Sequence, residues 1–219
     1  MRSRLLFWRF VPAFKSGLLL VSLILLSLVA ISSQAASTIL VYGDSLSAAY
    51  GLSTQQGWVS LMGERLKTER LPYQVVNASI SGETTAGGLS RFKQTIATQK
   101  PQVLILALGA NDGLRGLPIE TMQQNLTNML ELAKQNKIKV LLVGMRIPPN
   151  YGPQYTQAFH QTFIDLAQQF KIKLVPFLLE NVAGKPALNQ DDGIHPTAEA
   201  QPIILDTVWK TLKSMLTKK

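Results

Sequence analysis

Five short segments rich in apolar and β-branched residues recur along the chain: ILVYG from Ile39, then YQVVNA, QVLILALG, IKVLLVG and IKLVPF, at intervals of roughly 30 to 36 residues. Each predicts a strand, bounded by turn-forming residues. In the intervals, apolar residues fall three and four apart: Trp58, Leu61, Met62 and Leu66; Met122, Leu126, Met129, Leu130 and Ala133; Phe159, Phe163, Leu166 and Phe170. That spacing marks one face of a helix in each. Strands whose hydrophobicity is continuous rather than alternating are buried on both faces, which points to one parallel sheet covered by helices. The chain therefore predicts an α/β fold of βα units, closed by a last helix from Ala198 to Lys218. In an open parallel sheet, ligands bind beyond the carboxyl ends of the strands, so the loops that follow each strand are where chemistry is sought.

Ahead of the first strand, MRSRLLFWRFVPAFKSG carries Arg2, Arg4, Arg9 and Lys15 with no acidic residue, and an apolar run from Leu18 to Ile31 follows. A run of about 14 residues is short of the roughly 20 that a spanning helix needs. With the small residues around Ser33 and Ala35, it reads as an export signal over residues 1–35, removed near Ala35. An uncleaved N-terminal anchor is the competing reading. The expectation is an exported, periplasmic protein with a single domain over residues 36–219.

Four of the 22 basic residues precede Ala36, so the remainder carries 18 against 13 acidic residues, a net charge of +5. No run of Lys and Arg interleaved with aromatics is present, so nucleic acid is not an expected partner. Transient contact with anionic lipid headgroups remains open. The chain has no cysteine, which excludes disulfides and a thiol-linked lipid anchor. A chain of this length buries a full core without such staples, and a monomer is expected.

After strand one comes Gly43-Asp44-Ser45-Leu46-Ser47. This is neither a dinucleotide-binding nor a phosphate-binding loop, and Ser47 stands where G-x-S-x-G requires its last glycine. After strand two comes NASISGETTAGG, in which Gly82 can bring a backbone N–H close to a ligand. After strand three, Gly109-Ala110-Asn111-Asp112-Gly113 places a side-chain amide at the mouth of the sheet. Asp191-Asp192-Gly193-Ile194-His195-Pro196 precedes the last helix. Taken singly, each is ordinary turn chemistry, and Asp44 and Asp112 are expected to shape their turns.

Together they supply what a serine hydroxyl needs: a base, a group that orients the base, and donors for a developing oxyanion. Two histidines follow Ala36. His160 lies beside the apolar stripe of a helix and reads as structural. His195 lies three residues after Asp192, so that a carboxylate can reach Nδ1 while Nε2 faces a serine. A metal site at Asp191, Asp192 and His195 is disfavoured, because a catalytic zinc takes about three protein ligands with more His or Cys than this chain offers. The sequons at Asn77 and Asn125 fall in a predicted strand and helix and read as chance.

These blocks resemble the SGNH, or GDSL, hydrolases. Gly43-Asp44-Ser45-Leu46, Gly82, Gly109-x-Asn111-Asp112 and Asp192-x-x-His195 are similar to the four family blocks, in family order. GDSLSAAYGL, NASISGETT, GANDGLRGLP, RIPPNYG and DDGIHP resemble the bacterial thioesterase I, lysophospholipase and arylesterase subgroup. The resemblance implies a three-layer flavodoxin-like fold, with a five-stranded parallel sheet and helices on both faces. It implies Ser45 as nucleophile, His195 as general base and then acid, and Asp192 as its orienter. The oxyanion donors would be the backbone N–H groups of Ser45 and Gly82 and the amide of Asn111.

The implied reaction is hydrolysis of carboxylic esters and thioesters through an acyl-enzyme, without metal or cofactor. Substrates would be small acyl or aryl esters, including lysophospholipids, which an exported enzyme meets more readily than cytosolic acyl-CoA. Position and hydrophobicity suggest Ile147, Pro148 and Tyr151 as an apolar wall for the acyl or aryl group, beside the loop Gly113 to Pro118. The alternatives are an acyltransferase using the same acyl-enzyme, a carbohydrate deacetylase, for which no aromatic platform is evident, and a non-catalytic binding module.

Overall fold

The computed structural model describes residues 36–216. The expected export signal lies outside them. Five parallel strands form one sheet in the order β2-β1-β3-β4-β5: β1 (Ser37–Gly43), β2 (Tyr73–Asn77), β3 (Val103–Ala107), β4 (Lys139–Val143) and β5 (Lys173–Val175). The main helices are α1 (Trp58–Thr68), α2 (Thr85–Gln99), α3 (Ala110–Leu114), α4 (Ile119–Gln135), α5 (Pro153–Phe170) and α6 (Gln201–Leu212).

The pleat of β1 sorts its side chains into two cores. Ile39 and Val41 join Trp58, Met62 and Leu66 of α1 and Ile204, Val208 and Leu212 of α6. Leu40 and Tyr42 turn to the other face, against Phe92 of α2, Met122, Leu126 and Met129 of α4, and Phe159 and Phe163 of α5. The result is the expected three-layer α/β sandwich, and the stripes read from the sequence are its buried helix faces. Truncation of a fully buried side chain such as Phe163 to Ala costs about 3–5 kcal/mol in a core of this kind.

Burial on both faces holds for β1 and β3 and for β4 after its exposed first residue Lys139, but not for the edges. β2 leaves Gln74 and Asn77 exposed, and β5 is three residues long, with Pro176 directly after it. Polar residues on an edge strand disfavour pairing with another chain.

A helix that the apolar spacing did not mark, α2, fills the interval between β2 and β3. Its sequence begins TAGG, and Gly88 is buried where a Cβ would stand 2.4 Å from Leu108 Cδ1. The glycine lets the helix lie close on the sheet at the expense of its own apolar signature. The closing helix is shorter than expected: 3₁₀ turns at Ala198–Ala200 and Lys213–Met215 flank α6.

Because the chain passes from β1 outward to β2 and then crosses to β3 on the other side, the loops after β1 and β3 diverge. The crevice between them is the position where such sheets bind ligands. At the opposite edge the helices end alike. Leu71, Ile138 and Ile172 donate N–H to Leu66, Ala133 and Ala167, which closes Schellman turns around Arg70, Lys137 and Lys171.

Candidate active site

Leaving β1, the chain turns sharply. Asp44 Oδ1 accepts the Leu46 N–H at 3.1 Å, and Asp44 O accepts the N–H groups of Ser47 and Ala48 at 3.1 and 2.9 Å. This Asx turn presents Ser45 at the carboxyl edge. Trp58 Nε1 donates to Leu46 O and Asn77 Nδ2 to Ser47 O, holding the turn from both sides. Asp44 itself is buried, and burial raises its pKa to about 7. Its Oδ2 and Ser47 Oγ have no hydrogen-bond partner among the described residues.

Ser45 Oγ lies 2.9 Å from His195 Nε2, across 150 residues of sequence. His195 Nδ1 lies 2.6 Å from Asp192 Oδ2, and Asp192 Oδ1 accepts the backbone N–H groups of His195 and Ile194 at 2.9 and 3.0 Å. The backbone N–H of His195, foremost, holds the Asp192 carboxyl down at about 2. The Tyr50 ring covers the imidazole, with centroids 4.3 Å apart. Gln190, which the sequence did not single out, ties this loop to the first: its Nε2 donates to Tyr50 O and Pro196 O, and its N–H to His195 O.

Two further loops complete the mouth. Gly82 has φ +77°, a left-handed conformation natural to glycine. Arg115 Nη2 fixes its carbonyl at 2.9 Å. Asn111 donates one amide hydrogen to Glu83 O at 3.1 Å, which leaves the other for the mouth. The Glu83 carboxylate is nearly buried and paired with Arg91, whose guanidinium lies 4.1 Å from the Tyr42 ring centroid and also donates to Ala78 O. Asp112 accepts both the N–H and the hydroxyl of Thr85, at 2.8 and 2.6 Å, pinning the start of α2 to the Asn111 turn. Gly109, at φ +119°, starts that turn where a Cβ would meet Phe163 and Met122 at 3.1 and 3.2 Å. Among the described residues, the N–H groups of Ser45 and Gly82 have no protein acceptor.

The structure thus brings Ser45, Gly82, Asn111, Asp192 and His195 to one edge, at a cavity of about 650 Å³. Leu114, Met145, Ile147, Pro148, Phe177 and Leu179 give it a largely apolar lining. Tyr151 is not part of that lining; it stands behind it, with its hydroxyl donating to Leu114 O at 2.7 Å. His160 is apart from the centre, its Nδ1 3.3 Å from Met145 O. The two sequon asparagines are engaged by the protein itself: Asn77 Nδ2 donates to Ser47 O and Asn125 Nδ2 to the Thr85 hydroxyl. Among the described residues no cluster of His, Asp or Glu is placed to hold a metal ion, and the Asp192 oxygens are already engaged by His195 and Ile194. A hydroxyl in line with an imidazole and a carboxylate, beside uncharged donors, can be deprotonated as it attacks a carbonyl.

Residues 41–202 match the model of the GDSL-like lipase/acylhydrolase family. The chain is 52% identical over 192 residues to the esterase TesA of Pseudomonas aeruginosa, covering 87% of this chain and 96% of that protein. It is 39% identical over 191 residues to the thioesterase 1/protease 1/lysophospholipase L1 of Escherichia coli K12, covering 87% and 90%. The crystal structure of the psychrotrophic esterase EstA from Pseudoalteromonas, inhibited by monoethylphosphonate, superposes with a TM-score of 0.79 at 40% identity, covering 82% of this chain and 98% of that one.

Proposed function

The chain belongs to the GDSL-like lipase/acylhydrolase family and is a serine hydrolase of esters, and from that premise we propose that it cleaves acyl and aryl esters, thioesters and lysophospholipids through an acyl-enzyme on Ser45. The observation that carries this reading is the unbroken line from Ser45 Oγ through His195 to Asp192, at 2.9 and 2.6 Å, opening on an apolar cavity.

In the first half-reaction His195 Nε2 takes the hydroxyl proton as Ser45 Oγ attacks the acyl carbon. The oxyanion forms against the N–H groups of Ser45 and Gly82 and the free amide hydrogen of Asn111. Such donors lower the barrier because they are already aimed before charge develops. Asp192, ionised at any working pH, stabilises the imidazolium and fixes its tautomer. The imidazolium then protonates the departing alcohol or thiol. In the second half-reaction water gives its proton to His195, adds to the acyl carbon, and the acid leaves as Ser45 recovers its hydrogen.

The lining of Ile147, Pro148 and Leu114 suits an acyl or aryl group better than a sugar, which favours these substrates over acetylated carbohydrate. Export to the periplasm, with removal of residues 1–35, accords with lysophospholipids as substrates. Mass spectrometry of the protein from a periplasmic fraction tests this; an intact Met1 overturns the cleavage. The activity test is a chain-length panel of oxyesters and thioesters with a lysophospholipid, run beside Ser45→Ala. Expected is turnover that the substitution abolishes; unchanged turnover by Ser45→Ala overturns the mechanism.

A further inference from the structure

Every long helix that runs back to the amino edge of the sheet leaves through a basic residue. Arg70, Lys100, Lys137 and Lys171 follow α1, α2, α4 and α5, all in the left-handed conformation, at φ 55°, 43°, 58° and 54°. That position commonly goes to glycine. Lys139 and Lys173 open β4 and β5 at the same edge. All six side chains are exposed, and none is in an ion pair among the described residues.

Cations at helix C-termini offset the carbonyl charge there, and that accounts for part of the pattern. It does not account for the two strand lysines. Nor does it account for a cleft of about 640 Å³ that Lys100, Lys137 and Lys139 share with Ser37, Tyr73 and Gln102. The acids are arranged the other way. Asp44, Glu83, Asp191 and Asp192 are in the loops of the catalytic edge and Asp112 is in the short α3 beside them; toward the basic edge Glu64 and Glu69 are paired with Lys67 and Lys213, and Glu131 sits a turn further up α4.

We propose that the amino edge of the sheet docks on an anionic lipid bilayer, with the cleft between Lys100, Lys137 and Lys139 receiving a headgroup phosphate. Three cations around one polar cleft match a surface of phosphodiesters, and the pull of such a surface on each lysine acts within a Debye length. Docking this way turns the mouth at Ser45 toward water. Esters then arrive as dissolved monomers and are not drawn up from the bilayer beneath.

The test uses the chain from Ala36 onward, which carries all five strands and both cores, in co-sedimentation with vesicles at low salt. Expected are retention on phosphatidylcholine vesicles containing phosphatidylglycerol, none on phosphatidylcholine alone, and release at about 0.5 M salt. Lys100→Glu/Lys137→Glu/Lys139→Glu should lower the partition coefficient by about a hundredfold or more. Turnover of a soluble short-chain ester should be unchanged in that variant, and unchanged when the wild type is vesicle-bound. If the triple variant fails to fold, Lys139→Glu/Lys173→Glu keeps the helix ends intact and should still weaken retention. Failure of the wild type to bind anionic vesicles overturns the proposal and leaves the face to an acidic macromolecule. Equal retention of the folded variants, or loss of soluble-ester turnover on docking, also overturns it. None of these outcomes depends on which ester the enzyme prefers.

Discussion

Asp192 holds His195 at three points: Oδ2 on the ring at Nδ1, and Oδ1 on the backbone N–H groups of His195 and its neighbour Ile194. One carboxylate thus fixes both the ring and the main chain that carries it. Asp192→Asn can keep the backbone bonds through its amide oxygen while presenting an NH₂ to Nδ1. That forces the wrong tautomer, and kcat should fall by as much as about 10⁴-fold with little change in KM. A steady-state comparison on one soluble ester checks this.

The same contacts predict an acid dependence of stability. The folded carboxyl of Asp192 titrates at about 2, below its ordinary value of about 4. A depressed folded pKa contributes stability that is present above the unfolded value and lost as pH falls through the folded one. The difference in melting temperature between wild type and Asp192→Asn should shrink between pH about 4 and 2.

Asp44 carries the opposite sign. Burial raises its pKa to about 7, so the folded state holds a proton that the unfolded state releases near 4. Folded protein therefore loses stability as pH rises from about 4 to 7. Asp44→Asn keeps an oxygen for the Leu46 N–H and removes the ionisation. Its melting temperature relative to wild type should climb over that interval and level off above it.

Asn111→Ala removes the proposed oxyanion donor and the tie to Glu83 O. Loss of one such donor costs about 2.7–4 kcal/mol of transition-state stabilisation, or about 10²- to 10³-fold in kcat. KM for a short ester should stay nearly constant, which single-substrate kinetics resolves.

Ile147 is 8% exposed and faces the cavity. Ile147→Ser should depress turnover of long-chain esters more than that of acetate esters. Equal loss on both would mean that the side chain serves only packing.

Much of this molecule is legible in its sequence because period encodes face. Met122, Leu126 and Met129 sit where their spacing puts them, and the continuous apolar runs became the inner strands. Helix α2 was hidden because Gly87 and Gly88 replace the apolar residues that periodicity needs. Spacing also says nothing of contacts between loops. That Arg115 reaches the Gly82 carbonyl and Gln190 reaches Tyr50 follows from topology, since each pair joins loops from separate strands. Tyr151 illustrates the limit: its sequence neighbours Ile147 and Pro148 line the cavity, whereas it braces Leu114 from behind.

The separation of 150 positions between Ser45 and His195 has a consequence in time. A ribosome delivers the hydroxyl 150 positions before the imidazole, so over that span a growing chain exposes a serine whose proposed base is not yet made. A chain that stops before Asp192 therefore lacks both the proposed base and its orienter, however well its first strands have folded.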